Sequence, residues 1–324
     1  MALTRRGAVQ TGLAALLPLP AFAQAYPARA VRVIVPFAPG GGTDLIGRTL
    51  CQALSERVGQ PFVVENRAGG GSLVGCVAAA RAAPDGYTLL IGPADGLAIL
   101  PALKRDMPYD PVRDFSPIAL AATSPFVFCV NAQVPVHSLG ELVSYARSSP
   151  DAIKFGSPGV GSISQLAVEL LCSRTGVRMT HVPYRGGGPA VADLLGGQLQ
   201  LFAGSPQLMT SNAQGGQVRM LAQTGRSRHP LTPDVPTTAE LGMADIAVES
   251  WFGLLGPAGL PEPIRSKLME ASLLLLHDPA IRQVFVGVGA DVAPLSSTEF
   301  SAFIGEEVRK WTVVARAARI ELQD

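Results

Sequence analysis

Two stretches of this sequence carry residue types and spacings that could do chemistry. Residues 31–48 read VRVIVPFAPGGGTDLIGR: an apolar run (Val31, Val33, Ile34, Val35) ends at Pro36, and Phe37 and Pro39 lead to Gly40, Gly41 and Gly42. A helical pattern then begins at Thr43 and Asp44. A strand, a glycine loop and a helix start make an anion site in principle, because first-turn N–H groups lack intrahelical partners and the helix dipole puts partial positive charge there. Thr43 or Asp44 is the expected N-cap. Residues 157–172, SPGVGSISQLAVELLC, repeat the plan: Ser157, Gly159, Gly161, Ser162 and Ser164 precede a helix with Leu166, Leu170 and Leu171 apolar. A third glycine loop, 185–189, follows Tyr184 and contains Gly187. For one such loop alone, an anion site and a ligand-free turn are equally good readings; the repetition favours the site.

Other chemistries fit poorly. A nucleoside triphosphate loop needs lysine and then Ser or Thr where Thr43, Asp44 and Leu45 stand, and a dinucleotide fingerprint needs glycine or alanine at Leu45. The four histidines (His137, His181, His229, His277) form no HExxH or cysteine-histidine cluster, and no GxSxG elbow exists. No metal, cofactor or catalytic residue is expected. His181, near Tyr184 and Arg185, is the best acid or base candidate, with a structural role the commoner outcome. Arg185 suits either a bidentate carboxylate contact or a solvated surface position. Asp95 and Asp193 suit a ligand contact or, the favoured reading, helix capping. Trp251 and Tyr184 suit either a cleft wall or packing.

The elements that must position these loops follow from composition and pattern. Segment 1–25 reads as an export signal: Arg5 and Arg6, an apolar stretch from Ala8 to Leu19, then Ala21-Phe22-Ala23 and Ala23-Gln24-Ala25 as small-x-small sites. Thr4-Arg5-Arg6 leaves the Sec and twin-arginine routes both open. Removing two arginines from the 26 basic side chains leaves 24 against 25 acidic ones, about −1, with no basic stripe for nucleic acid or anionic lipid. No later run of 18 apolar residues suggests a membrane span, and about 300 residues suggest two domains. Strands at 61–65 and 87–91 alternate with helices at 43–58 and 72–83, the pattern of a parallel sheet covered by helices. Further strands are expected at 118–122, 126–130, 153–156, 178–183, 198–203, 217–222 and 248–255. Helices are expected at 139–148, 206–213, 261–277 and 296–318, with one more running through Leu195. The chain crosses between domains near 122–125 and returns near Val248, giving 26–124 plus 248–324 as one domain and 125–247 as the other. Cys51, Cys76, Cys129 and Cys172 make no metal spacing; a Cys51–Cys76 bridge is conceivable, and four buried thiols are the favoured reading.

Seven blocks in order carry a family resemblance: YPARAVRVIVPFAPGGGTDLIGR, GQPFVVENRAGGGS, AAPDGYTLLIG, YDPVRDF, SPGVGS, HVPYRGGGPAVADLLGGQL and VPTTAEL. Together they resemble the periplasmic solute-binding receptors of tripartite tricarboxylate transporters, the Bug family, over essentially the whole mature chain. The resemblance implies an α/β, two-domain Venus flytrap, each domain a mainly parallel sheet flanked by helices, with ligand in the cleft between them. It also implies that the loops matching Phe37–Asp44 and Ser157–Ser164 grip a ligand carboxylate through backbone amides and water. Gln165 stands where relatives commonly carry histidine, and Gly204-Ser205 where many carry aspartate, so no particular solute carries over. The expected function is high-affinity periplasmic binding of a small carboxylate by a monomer that delivers it to inner-membrane permease subunits. The alternatives are a solute sensor for a signalling partner and an exported enzyme acting on an acidic metabolite.

Overall fold

Alternation of apolar residues along the opening strand decides how the first layer is built. The computed structural model describes residues 26–150, 152–184, 187–318 and 320; the export signal and Arg185 lie outside the described residues. In β1 (Val31–Val35), Val33 and Val35 face one side of the sheet and Ile34 the other, as successive strand side chains must. α1 (Gly42–Val58) covers the first side with Ile46, Leu50 and Leu54, and Gly59 ends it in the left-handed region (φ 77°), its N–H on the Ser55 carbonyl at 3.0 Å. After β2 (Phe62–Asn66), α2 (Leu73–Ala80) covers the opposite side with Cys76 and Ala79, stopping short of Ala83. β3 (Thr88–Pro93) completes a parallel trio in the order β2-β1-β3. A π-helical turn at Asp95–Ile99 then runs into α3 (Leu100–Leu103).

This layering settles the cysteines. Cys51 belongs to the core on the α1 side and Cys76 to the core on the α2 side, so the sheet separates them and the conceivable bridge does not form. All four thiols are free and buried. Burial pushes Cys51, Cys76 and Cys172 up to about 12 and raises Cys129 as well, which keeps them protonated and unreactive.

β4 (Phe115–Pro125) finishes the outward run of the chain through this sheet, and β5 (Val127–Asn131) opens a second one. There follow α4 (Leu139–Ser148), β6 (Lys154–Ser157), α5 (Ile163–Thr175), β7 (Thr180–Pro183), α6 (Gly187–Leu195), β8 (Leu201–Gly204), α7 (Pro206–Ala213) and β9 (Val218–Gln223). β10 (Glu249–Pro257) returns to the first sheet, and α8 (Glu262–Leu276), α9 (Pro279–Gly287), β11 (Asp291–Leu295) and α10 (Ser297–Ala318) complete it. The strand orders are β11-β4-β10-β3-β1-β2 and β7-β6-β8-β5-β9.

Both sheets are mixed rather than mainly parallel. The trios β2-β1-β3 and β7-β6-β8 are parallel, whereas β10 pairs antiparallel with β3 and β4, β11 with β4, and β5 with β8 and β9. The antiparallel halves arise because strands passing between sheets leave and return in opposite senses. Trp251 of β10 is core, not cleft wall. It is fully buried, packs edge-on against Phe300 and Phe303, and shares the Glu307 carboxylate with Trp311, the two indole N–H groups donating at 3.2 and 3.0 Å. That shared acceptor pins α10 across the first sheet.

Candidate functional site

Strand directions place the two glycine loops. β10 opposes β3 and β4 opposes β10, so β4 runs with β1, β2 and β3 and ends on the edge that carries the loops after them. In the second sheet Val127, the first residue of β5, pairs with Gly204, the last residue of β8, and β6 runs parallel to β8. The chain therefore leaves the first sheet and enters the second on the edges that carry the β1–α1 and β6–α5 loops. The return passes the same junction, with Gln223 opposite Val127 and Glu249 opposite Pro125. There the Phe126 N–H donates to the Thr224 hydroxyl, and the Thr224 N–H to the Phe126 carbonyl, each at 2.9 Å. Carboxyl-end edges of this kind are where open α/β sheets take ligands.

The loop after β1 is bare backbone. Gly40, Gly41 and Gly42 are exposed, and a Cβ at any of them would meet nothing within 4 Å. Gly40 sits at φ 90°, a conformation that favours glycine. The N-cap of α1 is Gly41 (φ −81°, ψ 170°) with no side-chain cap, so neither Thr43 nor Asp44 serves; both are buried inside the first turn. Asp44 braces the loop from beneath. Its carboxylate accepts from Gly40 N–H at 2.9 Å, Arg48 Nε at 2.9 Å and Asn66 Nδ2 at 2.8 Å. Asn66 also donates to the carbonyl of the half-buried Phe37 at 3.0 Å, while Pro39 is exposed. Burial alone would raise the Asp44 carboxyl, but the bonds from Arg48, Asn66 and Gly40 outweigh it and hold it below the usual carboxylate range.

Side chains already satisfy much of the loop after β6. Ser157 is fully buried; its hydroxyl accepts from Gly159 N–H at 3.2 Å and lies 2.9 Å from the Gly159 carbonyl and 2.7 Å from His181 Nε2. Ser162 caps α5 by accepting Gln165 N–H at 3.4 Å and donates to the Gly159 carbonyl at 2.8 Å. Gln165 turns its side-chain carbonyl back onto Gly161 N–H at 2.8 Å, and Ser164 donates to the Ala203 carbonyl at 2.5 Å. The serine hydroxyls are structural here, which leaves backbone groups to face a ligand. Tyr184 ties the neighbouring strand end to this loop, its N–H on the Ser157 carbonyl at 3.0 Å and its hydroxyl on Asp193 at 2.5 Å. Burial, then Asp193, pushes that phenol up to about 12. Gly187 opens α6 with free space where a Cβ would stand.

Ser157 and His181 together have the spacing of a nucleophile and its base. Complete burial of Ser157 keeps substrate away, and His181, stacked on Phe155 with ring centres 5.0 Å apart, is lowered to about 4 by burial. The pair is a brace. The capping readings fail elsewhere too: Asp95 follows the Ala94 N-cap without capping, Asp193 lies within α6 and accepts from Tyr184, and Ser72 precedes α2 at φ 84° without a cap bond. At Gly204 a Cβ would come within 2.7 Å of Met209 Cε and 2.9 Å of the Phe202 ring, so a larger residue there requires both side chains to shift, and Ser205 caps α7. Sequence reasoning missed the bracing by Asn66, Arg48 and Gln165; the only local signal is that each lies within a turn of a glycine loop or its helix. Among the described residues no group of three His, Cys, Asp or Glu side chains is placed to hold a metal, and no helix is long and apolar enough to cross a membrane.

Comparison with known proteins gives the family. Residues 46–320 match the family described as tripartite tricarboxylate transporter family receptor. Protein BugT of Bordetella pertussis is 34% identical over 305 residues, covering 94% of each chain. A solved R. palustris protein with adipate is 33% identical with a TM-score of 0.79, covering 91% of this chain and 99% of the other. MatC from Rhodopseudomonas palustris with bound malate is 33% identical with a TM-score of 0.74, covering 89% and 99%. These are solute-binding receptors, not enzymes. A bare glycine loop and a braced one on joined sheet edges, within a chain matched over nearly its whole length, establish that this protein belongs to the tripartite tricarboxylate transporter receptors, the Bug family of two-domain periplasmic binding proteins.

Proposed function

We propose that this receptor binds a small carboxylated solute between its two lobes and presents it to inner-membrane permease subunits. The observation that carries the reading is the placement of both glycine loops on the edges where the sheets are joined. In the first lobe, residues 26–124 plus 248–324, the carboxylate meets Phe37, Pro39, Gly40, Gly41, Gly42, Thr43 and Asp44, chiefly through amides at the start of α1. In the second lobe, 125–247, it meets backbone groups of the loop that Ser157 braces from within, at Gly159, Gly161, Ser162 and Ser164, with Tyr184 and Gly187 at the rim. Adipate and malate in the two solved relatives support a carboxylate as the ligand class. A charge-assisted hydrogen bond contributes about 1.5–3 kcal/mol, so a few suffice for micromolar affinity. Hinge closure then gives the permease a shape to recognise. The protein works as an exported monomer, its export signal removed by either route.

The test is a thermal-shift screen of mono-, di- and tricarboxylates and amino acids, followed by titration calorimetry on the hits. The expected outcome is saturable binding of at least one carboxylate. Binding confined to uncharged or cationic solutes would overturn the reading.

A further inference from the structure

One carboxylate on the joined edge has no role in the account above. Asp95 lies two residues beyond β3, the strand at which the first sheet changes from parallel pairing with β1 to antiparallel pairing with β10. Ligand sites in open sheets form at the carboxyl ends of strands at such a reversal. The local backbone is unusual as well. Asp95–Ile99 is a π-helical turn, a rare form frequent at functional sites. Tyr109 clamps that turn by donating to the Gly96 carbonyl at 2.6 Å.

Asp95 is half-buried on this edge, and among the described residues the only hydrogen-bond donor to its carboxylate is its own backbone N–H. Burial pushes it up to about 6. Against the next residue, Gly96, lies a second polar group short of a good partner: the Ser72 hydroxyl, 1% exposed, has only the weakly bonding Cys76 thiol beside it among the described residues. A Cβ on Gly96 would stand 2.6 Å from that oxygen and 2.6 Å from the Cys76 sulfur, so only glycine lets the turn approach so closely. Ser72 itself is the one described non-glycine residue at positive φ, 84°. An under-solvated carboxylate without a cation, a hydroxyl with only a thiol beside it and a strained residue together cost stability, and such costs gather where a ligand supplies what is missing.

What is missing is positive charge. Adjacent strands lie about 4.8 Å apart, so a solute spanning a few carbons from carboxylate to cation reaches from the β1–α1 loop to the end of β3. We propose that Asp95 is a specificity-determining residue that pairs with the ammonium of a zwitterionic solute whose carboxylate lies on the Gly40–Gly42 loop. This rests on the carboxylate-binding reading and narrows it to amino-bearing acids.

Calorimetry on the mature chain with matched pairs, L-glutamate against glutarate and 4-aminobutyrate against butyrate, tests it. At pH 7.5 the amino member of at least one pair is expected to bind at least tenfold tighter. Asp95→Asn should collapse that ratio to below threefold, partly by improving the amine-free member. In the wild-type chain the ratio should also shrink as pH falls from 7.5 to 6, a window in which the carboxylates of the ligands stay largely ionised. The Cys76 thiol and Tyr109 phenol facing this turn stay protonated throughout, since burial raises both, so the titration reports Asp95. A wild-type chain that binds amine-free acids as tightly, or an Asn variant that keeps the preference, would overturn the proposal while leaving carboxylate binding intact. Should the Asn variant fail to fold, a ratio independent of pH in the wild type overturns it alone. If no carboxylate binds at all, the loop reading fails and takes this proposal with it.

Discussion

The two glycine loops are alike in sequence and opposite in construction. After β1 the Gly40 amide is committed to Asp44 below the loop, but Gly41 and Gly42 are exposed and the glycine N-cap of α1 brings no side chain to the first-turn amides. After β6 the amides of Gly159, Gly161 and, in the first turn of α5, Gln165 are already bonded to Ser157, Gln165 and Ser162 respectively. Donors committed to the protein cannot also bond a ligand at full strength, whereas donors facing water can. The first loop is thus built for affinity and the second for a fixed shape. Similar motifs in the two lobes do not contribute equally, and identical substitutions in each should separate the two roles.

The largest effect is expected at Gly161→Val. Gly161 sits at φ 76°. A β-branched residue held in that left-handed region costs roughly 1–2 kcal/mol. The change also disturbs the bond that Gly161 N–H makes to Gln165. Denaturant unfolding should show that loss of stability together with weakened ligand binding. Gly41→Val should do less to the fold and act on the ligand. Its backbone is extended and a Cβ meets nothing within 4 Å. The structural cost is therefore at most about 1 kcal/mol, from the poorer N-cap. Affinity should fall roughly tenfold, about 1.4 kcal/mol, because the side chain stands between solute and amides. Equal stability losses at the two positions, measured side by side, would erase the contrast between the loops.

Much of this was legible locally. Ile46, Leu50 and Leu54 at intervals of four and Gly59 as terminator are short-range signals, and the structure contains each of them. What sequence hid depends on distant partners. Asn66 braces Phe37 and Asp44 only because β2 lies beside β1, and no pattern in residues 62–66 announces it. α9 was hidden differently: Asp278-Pro279 reads as a break between helices, yet Asp278 caps a new one by accepting Ala280 N–H at 2.8 Å. β11 is a half-buried edge strand containing Pro294, with irregular register against β4, so it lacks the alternation that marks a strand. The expectation of mainly parallel sheets failed for a related reason: repeated strand-helix units fix the trios, while the direction of a strand that crosses between sheets is a property of the whole chain.

The smallest expected effect tests whether acid loosens the braced loop before the bare one. Burial holds His181 neutral down to about 4, against about 6.5 for an unfolded histidine. Between those values the unfolded chain takes up a proton that the folded chain refuses. The stability tied to neutral His181 is therefore complete above about pH 6.5, declines as pH falls towards 4, and changes no further below it. The slope from one group cannot exceed about 1.4 kcal/mol per pH unit, and partial solvent access makes it smaller. His229, also lowered chiefly by burial, contributes in the same direction, so His181→Gln should flatten the pH dependence of unfolding in this window without abolishing it. Asp44 behaves oppositely. Its carboxyl is held low, so the brace under the first loop persists through this window and fails only as pH drops through its folded value. Unfolding free energies of wild type and His181→Gln at half-unit steps from pH 7 to 4 check the assignment, and curves that stay parallel would show that the Ser157–His181 contact is not the acid-sensitive part of the second loop.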